Sequence, residues 1–559
     1  MHELSIKMLI EEAFFEVKHK DVLGRIGRLK TAHGVVETPA FAPVINPIKN
    51  VLSPAEIAEM GFPLLMTNAF IIYRNYREVG AQIGVHKILG VNTPIMTDSG
   101  AYQLMEYGYV DVKPEDIVRY EEELGADIGV ILDIPTRYYM PREQVVLEVE
   151  ETLRRARRSL ALRREAKMLL LAPVQGGRNY DLVEYSAKAL AKLPFDLYGV
   201  GGPTQIMEHY KFSELARLVL TAKRHLPLSK PLHLFGAGHP MIFSLMVALG
   251  VDLFDSASYA LYAKDGRYLT PQGTYRFEDL SYLPCRCPVC SKHDVEELKE
   301  LSAREREKLL AKHNLYVILA EMNTIKQAIT EGELWNLVEM RAGSHPSLKS
   351  ALITISEHVD FLEEHSPITF SKVTGIFFTD TYSLGRLEVY RHVKRLRDSY
   401  RLTNKRVVLL LPETEEKPFH RFGPISKFLK RLLQEFRSLT KSVEILVYTR
   451  YFGLIPITID DIYPLSQYEV AQKTAKENVD FITKCIREFL LKNQAFIKAI
   501  VACVNEEFLK GYFTGKLKRL SSSMGIPIEL LYINVDELHK DETFYAILSI
   551  IAKYINLPK

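Results

Sequence analysis

From Phe62 onward the chain repeats one pattern: a short apolar run, a polar or glycine-rich corner, then a longer segment with apolar residues at helical spacing. The apolar runs are Phe62–Thr67, Thr93–Thr97, Asp127–Leu132, Leu169–Val174, Leu197–Val200, Leu232–Phe235 and Val251–Phe254, each of strand length. Between them Glu143–Arg164, Leu182–Lys192, Ser213–His225 and Pro240–Leu249 carry the period of helices. Strands alternating with helices predict parallel βα units. Seven or more units favour a closed (β/α)8 TIM barrel, with a doubly wound open sheet as the alternative. Ahead of the repeat, Gly34–Ile45 is rich in β-branched residues and prolines and reads as an extended lead-in segment.

Past Asp265 the pattern breaks into a turn-rich stretch, then Cys285-Arg286-Cys287-Pro288-Val289-Cys290, then a helical run containing His313. A helical segment to about His345, holding the only tryptophan, Trp335, is expected to pack back on the barrel. A second α/β alternation follows: strands at Val407–Leu411, Val443–Tyr448, Ala499–Cys503 and Ile528–Val535, helices at Ile425–Phe436 and Gln472–Leu491. The expected organisation is a catalytic barrel domain over 1–345 with a zinc-binding subdomain near 280–320, a connecting segment over 346–370, and a C-terminal α/β region over 371–559.

Composition narrows this little. The chain has 559 residues, too many for one core, and 72 Lys and Arg against 69 Asp and Glu give a net charge of +3, so any case for nucleic acid rests on local patches. The acidic residues Glu3, Glu11, Glu12 and Glu16 argue against a secretory or transit peptide, and no apolar run approaches the ~20 residues of a membrane span. Three of the five cysteines lie within six residues, which suits metal ligation in a reducing cytoplasm better than a disulfide framework.

The corners carry the candidate chemistry. Asp98, Asp133 and Asp255 each close an apolar run. One such aspartate is ordinarily a helix cap, but three at one barrel mouth can divide labour, because like charges push their pKa values apart. Gln175 and the pair Gly201-Gly202 suit a flat heterocycle, since glutamine offers donor and acceptor and glycine admits close backbone approach; tight turns would use the same glycines. Tyr102 is either a stacking platform or core packing. C-x-C-x2-C with a distant histidine supplies the four donors of a closed zinc site: Cys285, Cys287, Cys290 and, in preference to His293, His313. The stretch from Arg386 to Lys441 is the most basic, a second basic face runs along the helix from Arg154 to Arg164, and interleaved aromatics make the former compatible with RNA.

Taken together, Met96-Thr-Asp-Ser-Gly-Ala-Tyr-Gln103, Val174-Gln-Gly-Gly177, Gly199-Val-Gly-Gly202, Phe254-Asp-Ser-Ala-Ser-Tyr-Ala-Leu-Tyr262 and the cysteine cluster with His313 closely resemble the tRNA-guanine transglycosylases, archaeal branch, over about residues 14–345. The resemblance implies a barrel with one structural Zn2+ per chain that replaces guanine at position 15 of the tRNA D-arm by 7-cyano-7-deazaguanine (preQ0), a step toward archaeosine. It implies Asp255 as the carboxylate that attacks C1′ and Asp98 as the general acid/base, roles the sequence would allow to be interchanged. Asp133, Gln175, Gly201 and Gly202 would read the base, Tyr102 would stack on it and Ser99 would add a hydrogen bond. The expected partners are tRNA, free guanine and preQ0, and a second copy of the chain.

Two departures qualify the resemblance. No RNA-binding PUA domain is recognisable before Lys559, so a separate PUA-containing protein is one possible source of that function. The stretch Pro412–Ile425 is similar to the archaeosine synthase motif but keeps only Pro412, Lys417 and Pro418, lacking its cysteine, tyrosine, serine and histidine. A structural or tRNA-binding role is expected there. The competing readings are a non-catalytic, zinc-containing tRNA-binding subunit and an archaeosine synthase-like paralogue.

Overall fold

The computed structural model describes residues 14–101, 113–163, 167–369, 374–471 and 473–555. They fall into two compact units, Met1–Lys372 and Val373–Lys559. Tyr102, Arg164, Val373 and Gln472 lie outside the described residues.

In the first unit, β1 (Phe15–Asp21), β2 (Gly24–Thr31) and β3 (Gly34–Thr38) form a small antiparallel sheet. Eight further strands close into a parallel barrel: β4 (Ala40–Ile45), β5 (Leu65–Asn68), β6 (Ile95–Asp98), β7 (Ile128–Val130), β8 (Leu169–Val174), β9 (Leu197–Val200), β10 (Leu232–Leu234) and β11 (Leu253–Ser256), with β4 between β11 and β5. Seven of these are the apolar runs of the repeat. The eighth was hidden in Gly34–Ile45, which divides: its first half completes the small sheet and its second half opens the barrel. Helices Arg142–Leu162, Tyr180–Leu190 and Phe212–His225 stand close to their expected places, whereas Pro240–Leu249 is a 3-10 turn leading into a short helix, Phe243–Ala248, buried along its whole length.

The small sheet closes the N-terminal end of the barrel. Phe15, Leu29 and Val36 share one apolar cluster with Ala40, Met66, Met96, Ile128, Leu169, Leu197 and Leu253. Each fully buried Leu, Met or Phe contributes roughly 1.5–3 kcal/mol. Two polar clamps fasten the closure. Arg25 donates to both carboxylate oxygens of Asp252 at 2.7 and 2.8 Å. Asp127 accepts the backbone N–H of His33 and of Ile95, each at 2.8 Å, with His33 Nδ1 at 3.1 Å and His86 Nε2 at 3.2 Å. Burial alone would raise the Asp127 pKa, but the donors from His86, Ile95 and His33 prevail and lower it. With a backbone N–H on each of its oxygens, Asp127 ties the turn at His33 to the start of β6.

A hairpin, β12 (Arg267–Thr270) and β13 (Gly273–Arg276), follows the barrel, and the long helix Ala303–Glu331 packs on β12. Helix Leu334–Ala342 packs on Phe243–Ala248 and buries Trp335. Residues 346–370, read from the sequence as a connector, carry helices Pro346–Ser356 and Val359–His365, the first of which packs along Phe212–His225.

The second unit has a short parallel pair, β14 (Ile376–Phe378) with β18 (Tyr468–Val470). Its main sheet holds β15 (Val407–Pro412), β16 (Val443–Thr449), β17 (Gly453–Pro456), β19 (Ala499–Val504) and β20 (Ile528–Tyr532) in the order β17-β16-β15-β19-β20, with only β17 antiparallel. Past the end of β15, the Glu413 carboxylate is buried and bonded to Arg450 and to the Tyr468 hydroxyl. Much of the basic stretch is engaged internally. Arg386 is buried, Lys405 donates to the carbonyls of Thr440 and Val443, and Arg431 pairs with Glu435 and Asp541. No helix among the described residues is long and apolar enough to cross a membrane.

Candidate active site

The C-terminal ends of the parallel strands bring the polar corners to one mouth. Asn68 ends β5 directly beside Asp98 at the end of β6. Its amide serves two structures: Oδ1 accepts Ile71 N–H at 2.8 Å and caps the helix Ala69–Ile83, while Nδ2 donates to Asp98 Oδ2 at 2.9 Å. Burial, and after it the charges of Asp133 and Asp255, push the Asp98 pKa up to about 7, against the opposing donors Gly100 N–H and Asn68. This carboxyl therefore exchanges its proton near neutrality.

Asp133 follows β7 and is buried. Gln175 Nε2 donates to its Oδ2, and Gln175 Oε1 accepts Thr136 N–H at 3.0 Å, so the amide orientation is fixed at both ends. Burial raises the Asp133 pKa to about 6, moderated by the Gln175 bond and by the Arg155 charge. Arg155 also donates to the carbonyls of Leu132 and Asp133 at 3.1 and 3.3 Å. It therefore braces this corner rather than standing in the basic face expected from the sequence.

The glycines after β9 make room for the same group. A Cβ on Gly201 would lie 2.0 Å from Gln175 Nε2, and one on Gly202, which has φ +68°, would lie 2.5 Å from the Thr136 carbonyl oxygen. The Gly201 amide bonds Val174 O at 3.0 Å, so this residue supplies space rather than a free donor. Ser99 is buried, and its hydroxyl donates to Ile131 O at 3.2 Å.

Asp255 ends the barrel on β11. Its Oδ1 lies 2.7 Å from His233 Nε2 and accepts Gly236 N–H at 3.0 Å, while Oδ2 has no hydrogen-bond partner among the described residues. His233 is fully buried on β10. Gly236, in the corner after β10, thus helps to hold this carboxylate. Gly236 provides the amide at φ +67°, and a Cβ on Gly238 would fall 2.1 Å from Ser258 Oγ, so the corner packs tightly on the segment after Asp255.

Asp98, Asp133, Asp255, Ser99, Gln175, Gly201 and Gly202 are brought together, whereas Tyr102 lies outside the described residues. Asn68, His233, Gly236 and Arg155 are the additions. Asn68 had a visible signal, since Leu65-Met-Thr-Asn68 parallels Ile95-Met-Thr-Asp98. His233, a polar residue inside an apolar strand, had a weaker one.

Cys285, Cys287, Cys290 and His313 converge, with all four donor atoms within 4.8 Å of one another. Cys287 Sγ is 3.6 Å from Cys290 Sγ, and His313 Nδ1 is 3.5 and 3.3 Å from these two sulfurs. Tetrahedral bonds of ~2.3 Å to sulfur give edges of roughly 3.7 Å, so this donor set fits a metal ion of that geometry. His313 Nε2 is bonded to Leu269 O at 2.9 Å, which places the ring proton there and turns the Nδ1 lone pair to the cluster. Tyr268 stacks on His313 with ring centres 3.6 Å apart, and Asn314 bonds Leu269 N and the carbonyls of Tyr259 and Arg267. The cluster thereby braces the segment that leaves Asp255. His293 is not part of it.

Fold and mouth define a (β/α)8-barrel enzyme with three carboxylates at its C-terminal end and a separate four-donor metal cluster. Residues 21–347 match the family described as queuine tRNA-ribosyltransferase, and residues 389–523 match a domain of unknown function. A tRNA-guanine(15) transglycosylase of Methanocaldococcus jannaschii is 41% identical over 530 residues, covering 93% of this chain and 78% of that protein. The protein of the same name from Methanococcus aeolicus is 43% identical over 463 residues, 81% and 68% of the two chains. That of Methanothermobacter thermautotrophicus is 41% identical over 488 residues, 86% and 72%. The chain belongs to the queuine tRNA-ribosyltransferase family.

Proposed function

We propose that this chain is a pentosyltransferase that exchanges the guanine at position 15 of tRNA for 7-cyano-7-deazaguanine by double displacement. The observation that carries the reading is that two carboxylates share one mouth in different surroundings: Asp255 is tethered through one oxygen, and Asp98 is held by Asn68 where burial and the charges of Asp133 and Asp255 push its pKa up to about 7. Asp255 Oδ2 attacks C1′ of the ribose as the glycosidic C–N bond breaks, and Asp98 gives its proton to the departing base nitrogen. The ribose is then held as an ester of Asp255. In the second half Asp98 takes a proton from the incoming base, whose nitrogen attacks C1′, and Asp255 leaves. The tRNA chain is never cut, and no oxidant or reductant is needed.

Asp133, oriented by Gln175, reads the donor edge of the base, and Gly201 and Gly202 leave the room that Gln175 and Thr136 occupy behind it. Ser99 holds the β6 and β7 corners together, and Tyr102 stacks on the base. The target base must leave its stack to reach this mouth, at a cost of a few kcal/mol met by contacts to the RNA backbone. Cys285, Cys287, Cys290 and His313 hold one Zn2+. Four protein donors leave no open position, so the ion would stiffen the segment after Asp255 rather than join the chemistry. The protein works as a homodimer in the cytoplasm.

Labelled guanine incubated with enzyme and tRNA should enter the RNA, and unlabelled 7-cyano-7-deazaguanine should chase it out of position 15 only. Label that stays free, or enters at another position, defeats the reading.

A further inference from the structure

We infer that His233 is a positioning residue for the exchange reaction: carrying a proton on Nε2, it works with Gly236 N–H to hold Asp255 Oδ1, which leaves Oδ2 as the atom that bonds to ribose. The inference rests on Asp255 being the nucleophile. Its own ground is the geometry around the ring. Nε2 lies 2.7 Å from Asp255 Oδ1, and Nδ1 is buried with no hydrogen-bond partner among the described residues. A carboxylate oxygen only accepts, so Nε2 must carry a proton. The ring packs edge-on against Phe235, with centres 4.5 Å apart, and is fully buried, so it has one orientation to offer.

With both donors on Oδ1, the plane of the carboxylate is fixed and its second oxygen points out of the pair. In the first displacement Oδ2 forms its bond to C1′ while the pair of electrons in the C1′–N bond leaves with the base. The ester carbonyl that remains is Oδ1, still facing both donors. In the second displacement the C1′–Oδ2 bond breaks, and the returning electron pair spreads onto Oδ1, where His233 and Gly236 receive it as a hydrogen-bonded charge. His233 gives up no proton in either step. Gly236 cannot be tested by side chain, but His233 can.

The test uses His233→Gln, whose amide N–H reaches the place of Nε2, His233→Asn, whose amide stops short of it, and His233→Leu, which only fills space. Rates of formation and breakdown of the covalent enzyme–tRNA complex are measured at saturating substrates, alongside the affinities for tRNA and guanine. The expected result is a loss of about 10- to 100-fold in both rates for Leu and Asn, near-normal affinities, and recovery of most of the loss by Gln. Equal rates for Gln, Asn and Leu would overturn the inference, as would a loss confined to KM. If Leu does not fold, shown by lost tRNA and guanine binding, Gln against Asn decides alone. Mapping the RNA-linked peptide in the wild-type protein separates the two readings. A link at Asp255 with no Gln recovery defeats the His233 role only, whereas a link elsewhere defeats the nucleophile assignment beneath it.

Discussion

Gly201→Ala adds one methyl group, and the consequences can be followed atom by atom. The new Cβ would lie 2.0 Å from Gln175 Nε2 and 2.6 Å from its Cδ, and ordinary contact begins at 3.4 Å. Gln175 must therefore withdraw by more than an ångström. It is not free to do so, because Nε2 is bonded to Asp133 and Oε1 to Thr136 N–H. Losing a hydrogen bond to a charged group costs about 1.5–3 kcal/mol, and leaving a buried partner unpaired adds about 1–3 kcal/mol. The expected effect is a rise in KM for the free base of about 10- to 100-fold, with the affinity for tRNA little changed. The assay is labelled-guanine exchange across base concentrations, on Gly201→Ala, Gln175→Ala and the double variant. If the methyl acts through Gln175, the double variant is no worse than Gln175→Ala, since the methyl then occupies vacated space. Fully additive losses, or a Gly201→Ala enzyme with normal KM, would refute the reasoning.

Other consequences follow from the site. In the proposed mechanism, departure of guanine needs Asp98 protonated and entry of the new base needs it ionised. Formation of the covalent complex should thus slow as pH rises through about 7, its breakdown should slow as pH falls through the same value, and both limbs should vanish in Asp98→Asn. The raised pKa also means that between about 4 and 7 the folded chain holds a proton the unfolded chain has released, so stability contributed by Asp98 falls as pH rises across that window; denaturant titrations of Asp98→Asn should lack this slope. Asp133→Asn keeps the shape but loses the charge and one of the two acceptor oxygens, and should raise KM for guanine by about tenfold or more with tRNA binding intact, read by base titration. If the cluster holds the proposed single zinc ion, Cys287→Ser should lower the metal content below that of the wild-type protein and the melting temperature with it, while residual folded enzyme keeps its KM for guanine; metal analysis with thermal melts checks both.

The barrel was legible because each parallel strand is covered on both faces and so reads as an unbroken apolar run, as in Leu169–Val174. β4 escaped because Pro39 before it, Pro43 within it and the preceding small-sheet strand merged it into one extended segment. β14, β17 and β18, of only three or four residues, leave no periodicity to find. At the site, residues that end a strand with a charge were visible, and those that act on a charge from elsewhere were not. Arg155 looked like one more surface arginine in a run of six along its helix, yet it reaches back to two carbonyls of the Asp133 corner. His233 is separated from Asp255 by a whole βα unit, and only closure of β10 against β11 brings them together. In the sequence Gly201 and Gly202 suit close approach of a ligand, whereas the structure places Gln175 and Thr136 in the space they leave.

The central claim is that Asp255 carries the ribose through the exchange. Enzyme is incubated with tRNA in the absence of a second base, denatured, treated with ribonuclease and digested, and the peptide bearing a ribonucleotide remnant is identified by mass. The account predicts a single adduct at Asp255, absent from Asp255→Ala and discharged when guanine is added before denaturation. An adduct at Asp98, or exchange that proceeds at full rate with no adduct at any time, would contradict it.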